Sequence, residues 1–171
     1  MVAASKIVRV DLDHDEYFVA LQAGAVRQFN NRRAGRKHLW AGDPRYSEQM
    51  HLMGTIAEAC VAKFLNVFWL GGSKGERDVW SCEVRAKFES GHRLIIHKED
   101  PDDVPFVSVA VREGVGLICG WVLSRDGKSP EYWQDPTGNR PAYFVPNDAL
   151  QPITTLKDFL NQTIDRNSRA G

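Results

Sequence analysis

The feature that most limits what this chain can fold into is the block from Asp78 to Leu123. Four β-like runs follow one another there, "DVWSCEVRAKF", "RLIIHK", "FVSVAV" and "GLICGWVL", separated only by the turn-like pieces "ESG", "EDPDDVP" and "REGV". Such runs pair into a sheet whose apolar side has to be covered. Helical patterns on either side supply the cover. Before the block, "EQMHLMGTIAEACVAKFLN" carries Ile56, Cys60, Val61, Phe64 and Leu65 as one apolar stripe, with Ser47 as N-cap, Glu48 in the first turn and Asn66 as its stop. After it, Leu156, Phe159, Leu160 and Ile164 form the apolar face of a helix beginning after Thr155, with Asp158 as its capping-box partner and "DRNSRAG" as a frayed end.

Ahead of these elements, "KIVRVDLD" alternates as a short strand. Phe18, Leu21, Ala25 and Phe29 then space a further helix, capped by Asp13 or Asp15 and ended by Gly35. "VFWL" after Asn66 reads as one more strand, "GGSKG" as a turn, "GKSPEYWQDPTGNRP" as a long polar connection and "AYFVP" as a last extended piece. The order helix, helix, several strands, helix predicts an α/β (α+β) single domain with a central mixed β-sheet flanked by helices. A length of 171 residues suits one domain with its own core, spanning 1–171, with 1–46 as an N-terminal strand and basic helix added to it.

Composition narrows the function classes. Hydrophobic residues make up 43% and charged residues 26%, the profile of a soluble globular domain, and no apolar run approaches the roughly 20 residues that span a bilayer. The start, "MVAASKIVRVDLDHDE", has no apolar signal region, so a cytoplasmic location is expected. Cys60, Cys82 and Cys119 form no C-x-x-C pair, which argues for reduced thiols and against a zinc site. Lys+Arg and Asp+Glu balance at 22 each, which excludes a polybasic protein, but the charges are unevenly spread. "RQFNNRRAGRKH" holds Arg27, Arg32, Arg33, Arg36 and Lys37 with no acid, a candidate for DNA-backbone contact through counterion release; a solvated helix end is the competing reading. "KEDPDD" is acidic, yet it lacks the spacing of a calcium loop and reads as a turn.

The chemically loaded stretch is "RDVWSCEVRAK". On a strand, Glu83, Arg85 and Lys87 share one face while Val84 and Ala86 share the other. Asp78 lies five residues before Glu83, about 17 Å away on a straight strand. A turn at Trp80–Ser81 is therefore required to bring the two acids together. Converging carboxylates suit Mg²⁺ or Mn²⁺, and a nearby cation offsets charge on a phosphate transition state. The competing reading is a solvated strand with cross-strand ion pairs. On the preceding helix, His51, Gly54, Thr55 and Glu58 lie on a related face.

These residues resemble the PD-(D/E)XK nuclease superfamily, with an acid at one strand end, D/E-x-K on the next strand and, in many members, a glutamate on the helix before them. "GTIAEACVAKFLN" is similar to the G-x-x-x-E-x-x-x-A-K-x-L helix of phage and bacterial members, and the stretch from Asp78 to Val109 looks like uncharacterised phage-encoded proteins of that type. The resemblance covers roughly residues 48–122. It implies a restriction-endonuclease-like core and DNA as partner. Glu58, Asp78 and Glu83 become metal ligands, joined by the Val84 carbonyl, with Arg85 and Lys87 at the scissile phosphate. It also implies bacterial host cytoplasm if the protein is phage-encoded, and is compatible with a homo-oligomer or a phage or host protein partner. Two departures stand out: Arg85 occupies the usual lysine position, and no crossover helix is legible after the D/E-x-K strand. A catalytically silent nuclease-like fold, binding DNA or protein as an accessory factor, is the alternative. A third reading is an unrelated interaction domain in which the three acids do not converge. Tyr132 and Trp133 are further candidates for stacking on bases.

Overall fold

The computed structural model describes residues 7–35, 47–71 and 77–169, leaving aside the side chains of 47, 48 and 164–169. Two sheets lie against each other. The larger has the order β1–β5–β4–β2, built from β1 (Val8–Asp11), β2 (Glu83–Lys87), β4 (Pro105–Arg112) and β5 (Val115–Leu123). It is mixed, as expected: β2 runs parallel to β4, and β1–β5 and β4–β5 are antiparallel. The smaller is antiparallel, with β7 (Ala142–Val145) between β3 (Leu94–Ile96) and β6 (Trp133–Gln134). "RLIIHK" and "AYFVP" were legible as extended pieces, but their union in a second sheet was not.

Helices flank the larger sheet. Helix α1 (His14–Arg33) starts at a full capping box, in which Asp13 accepts from the Glu16 N–H and Glu16 accepts from the Asp13 N–H. Helix α2 (Ser47–Leu65) buries Ile56, Ala57, Cys60, Val61 and Leu65 against the sheet and ends at Asn66, whose φ of 54° suits an asparagine. A short α3 (Ser124–Gly127) follows β5, and α4 (Leu156–Arg169) buries Leu156 and Leu160, with Phe159 tilted against Trp121. The residues expected to fray at the C-terminus continue that helix as far as Arg169.

Two sequence expectations need correction. The buried face of α1 is Ala20, Gly24 and Gln28, and Phe18 and Phe29 are exposed. Small residues take the inner face because α1 crosses α2 closely: a methyl group on Gly24 would lie 2.8 Å from Thr55 Oγ1 and 2.9 Å from Leu52 Cδ2. "VFWL" is irregular, with Phe68 and Leu70 exposed and no strand pairing. The "GGSKG" turn lies largely outside the described residues.

The sheet separates two cores. On one side Val84, Val107, Val109 and Ile118 meet α2 and α4. On the other, Phe106, Cys119 and Val122 meet Leu94, Ile96 and Val145 of the smaller sheet. The parallel β2–β4 connection thus passes through a strand of the second sheet instead of a crossover helix, and that strand covers the face bearing Glu83, Arg85 and Lys87. Among the described residues, β2 has no strand on its outer edge.

Candidate functional site

The turn needed to join the two strand acids is present. Val79 and Cys82 exchange backbone hydrogen bonds of 3.3 and 2.9 Å across Trp80–Ser81, with Trp80 at φ 53°. The reversal folds Asp78 back along β2, where its Oδ2 accepts a 2.8 Å hydrogen bond from the Val84 N–H. In an extended strand the N–H and C=O of one residue point to the same edge. The Val84 carbonyl therefore faces the free edge where Asp78 sits.

Glu58 holds a different position. Its two carboxylate oxygens accept from the Arg27 guanidinium at 2.6 and 2.5 Å, and the Trp69 indole N–H adds a bond of 3.1 Å. Glu58 is 3% exposed. Arg27 in turn donates to the Gly71 carbonyl. This corrects two expectations. Arg27 is no surface cation awaiting a phosphate, because it neutralises a buried acid, and Glu58 is a tethered counter-ion with both oxygens engaged. Arg32 and Arg33 are exposed in the last turn of α1, where the helix dipole favours cations; Arg36 and Lys37 lie outside the described residues.

The acids still act on one another in a chain, Glu58 on Asp78 and Asp78 on Glu83. Burial, then the charge of Glu58, raises the Asp78 pKa above the ordinary carboxylate value, against the opposing Val84 N–H, Arg85 and Arg27. Burial, then Asp78, raises that of Glu83, against Arg77 and Arg85. A carboxyl whose pKa is raised by folding weakens the fold once ionised, so this part of the stability is lost as pH rises from the ordinary carboxylate range through the folded value. Asp78→Asn, which keeps an oxygen to accept from Val84, is expected to raise Tm by roughly 2–4 °C at neutral pH without metal. The gap from wild type should close in acid. Thermal unfolding at both pH values checks this, and a lower Tm for the variant at neutral pH would contradict it.

Arg85 and Lys87 are held in place. Arg85 reaches Asp100 at 3.2 Å and Glu83 at 3.5 Å, and its guanidinium lies 4.8 Å from the centroid of the Phe106 ring. Lys87 is 8% exposed and donates to the His92 carbonyl at 2.5 Å and to Asn147 Oδ1 at 2.9 Å. Burial pushes its pKa below the ordinary lysine value, and the Cys119 thiol opposes that shift. Arg77 adds a 3.0 Å ion pair to Glu83.

No family model, curated protein or solved structure matches this chain. Among the described residues, no group of three or more His, Cys, Asp or Glu side chains is placed to hold a metal ion. Asp78 keeps one carboxylate oxygen without a hydrogen bond among the described residues, whereas Glu83 would have to exchange an ion pair, Arg77 at 3.0 Å or Arg85 at 3.5 Å, for a hard cation that keeps several of its waters; Glu58, more deeply buried and held by Arg27 and Trp69, does not fit as a third ligand.

Several neighbours were not legible. Arg77, Trp69, Asp100 and Asn147 hold Glu83, Glu58, Arg85 and Lys87 respectively; Arg77, Trp69 and Asp100 lie in segments quoted above, but none of them was read there as a partner of these charges. Two further acids of the turn that holds Asp100 are paired, Asp102 with Lys128 and Asp103 with Arg125. Trp133 stacks at a tilt on Tyr143, while Tyr132 packs on the second core. All three cysteines are free and buried, and burial pushes the Cys60 and Cys82 thiols up to about 12, too high for nucleophiles. No helix among the described residues is long and apolar enough to cross a membrane.

Proposed function

We propose that this protein is a divalent-metal-dependent DNA nuclease of the PD-(D/E)XK type, with Asp78, Glu83 and the Val84 carbonyl as the cation site. The observation that carries this reading is the reversal at Trp80–Ser81, which sets the Asp78 carboxylate on the Val84 N–H next to the strand bearing Glu83. A solvated strand with chance acids needs no such turn.

Bound Mg²⁺ or Mn²⁺ would polarise the phosphate and lower the pKa of a coordinated water. The protein's own groups supply the rest. Arg85, oriented by Asp100 and Phe106, meets a non-bridging phosphate oxygen with a guanidinium that needs no reorganisation. Lys87 contributes a fixed positive charge farther along the same face. Glu58 and Arg27 form a nearly neutral pair behind Asp78, tying the helix to the site. The reading carries with it DNA as partner and the cytoplasm, of a bacterial host if phage-encoded, as the location.

The test is cleavage of linear, circular and branched DNA with Mg²⁺ or Mn²⁺. Glu83→Gln is expected to lower metal-dependent cleavage by roughly two to three orders of magnitude while the variant stays folded by circular dichroism. A folded wild type that cuts none of these substrates overturns the enzyme. The second reading, a silent nuclease-like fold acting as a DNA- or protein-binding accessory factor, draws on the engagement of Glu58 by Arg27 and Trp69 and on arginine in the lysine position. Calorimetric titration with Mn²⁺ separates the two, since a silent binder has no need of the cation.

A further inference from the structure

A cleft of about 900 Å³ runs beside the outer edge of β2 and opens between the loop 88–93, β3, β7 and the loop 135–141. This is near the top of the ~300–1,000 Å³ range of small-ligand clefts. Its charge is one-sided: Arg85, Lys87, His92, Arg93, His97 and Arg140 line it, with no acidic residue lining it among those described. Apart from Ser108 and Thr137 the rest of its lining is apolar, and two of those side chains stand open to solvent, Phe88 at 47% and Ile95 at 38%, with Phe144 also lining the cleft. The hydroxyl of Ser108, beside Arg85 in the sheet register, is buried in the lining with no partner among the described residues. The cleft meets the acids through Arg85, which touches Glu83.

We infer that this cleft binds an unpaired nucleic-acid strand and leads it to Asp78 and Glu83. A positive lining matches phosphates, and an exposed aromatic wall matches the faces of unstacked bases. A duplex offers phosphates and groove edges but keeps its base faces stacked inside, so it leaves Phe88, Ile95 and Phe144 unmatched. The buried Ser108 hydroxyl is a polar group still needing a partner, which a phosphate or base edge supplies. The inference extends the nuclease reading by naming the form of its substrate, and its test uses binding alone.

Fluorescence anisotropy in EDTA compares a short labelled oligothymidylate with a hairpin duplex of equal length. The single strand is expected to bind at least about tenfold more tightly. Phe88→Ala should weaken single-strand binding roughly tenfold with an unchanged salt dependence. Arg93→Glu should weaken it and flatten the salt dependence. Both positions are exposed, so both variants should fold, as circular dichroism would verify. Oligouridylate bound as tightly also supports the inference and widens the ligand to RNA. Equal or tighter duplex binding, or an unaffected Phe88→Ala, overturns it. A wild type that binds the single strand in EDTA but cuts nothing with Mg²⁺ overturns the nuclease and leaves the cleft assignment standing; one that cuts duplex but ignores the single strand does the reverse.

Discussion

Arg27→Met lowers the stability of this protein by about 3–5 kcal/mol, the cost of breaking a buried ion pair from one side. The size follows from where the charge is left. Glu58 is 3% exposed, and the guanidinium supplies two of its hydrogen bonds. Methionine retains much of the apolar stem but no donor. Glu58 then keeps only the Trp69 N–H, and its charge still bears on Asp78. The Gly71 carbonyl also loses its donor, so the segment after α2 is freed from α1. For a domain stabilised by roughly 5–15 kcal/mol this is a large fraction. Urea unfolding reads it as a lower midpoint. Adding Glu58→Leu to the same chain should restore most of the loss, because no charge is then left unpaired. A loss below about 1 kcal/mol for Arg27→Met would mean that water reaches the pair, as at an exposed salt bridge.

Gly120→Ala should cost about 3 kcal/mol or more, from overpacking combined with backbone strain. Ser108 pairs with Gly120 and Val109 with Ile118, so Cys119 is an extra residue in β5 and the strand bulges there. Gly120 has φ +138°, outside the range that side chains readily accept. A Cβ there would lie 2.5 Å from the Gln151 carbonyl oxygen and 2.9 Å from Leu150 Cβ. The approaching backbone has little freedom to retreat, since Trp121 and Gln151 exchange hydrogen bonds of 3.0 and 2.7 Å at that point. Thermal unfolding checks the prediction. A variant as stable as wild type would show that the bulge and the Gln151 backbone can move apart at little cost.

The parity of Glu83, Arg85 and Lys87 was legible because it is a local property of a few residues, whereas the reversal at Trp80–Ser81 was a requirement of the metal-site reading and not something the residues themselves fixed. The covering of that face was not legible either. A strand with charges on one side reads as half-solvated, yet the smaller sheet covers it and leaves Lys87 only 8% exposed. The apolar spacing of Phe18 and Phe29 pointed the wrong way for a related reason. Periodicity marks a face that is able to be buried, whereas the α1–α2 crossing selected Ala20 and Gly24 for their smallness.

The sequence alone determined where the main helices and most strands lie, a cap at Asp13 or Asp15, the stop at Asn66, and a mixed sheet with helices against it, because period, caps and turns act over a few residues. Only the tertiary structure decided which charges meet. Arg27 and Glu58 are 31 residues apart, Arg85 and Asp100 15, Lys87 and Asn147 60. Each pairing depends on how layers dock, and a charged side chain removed from water takes whatever partner the docking leaves within reach. That is why the strand acids could be named in advance, while the partner that occupies the helix acid could not.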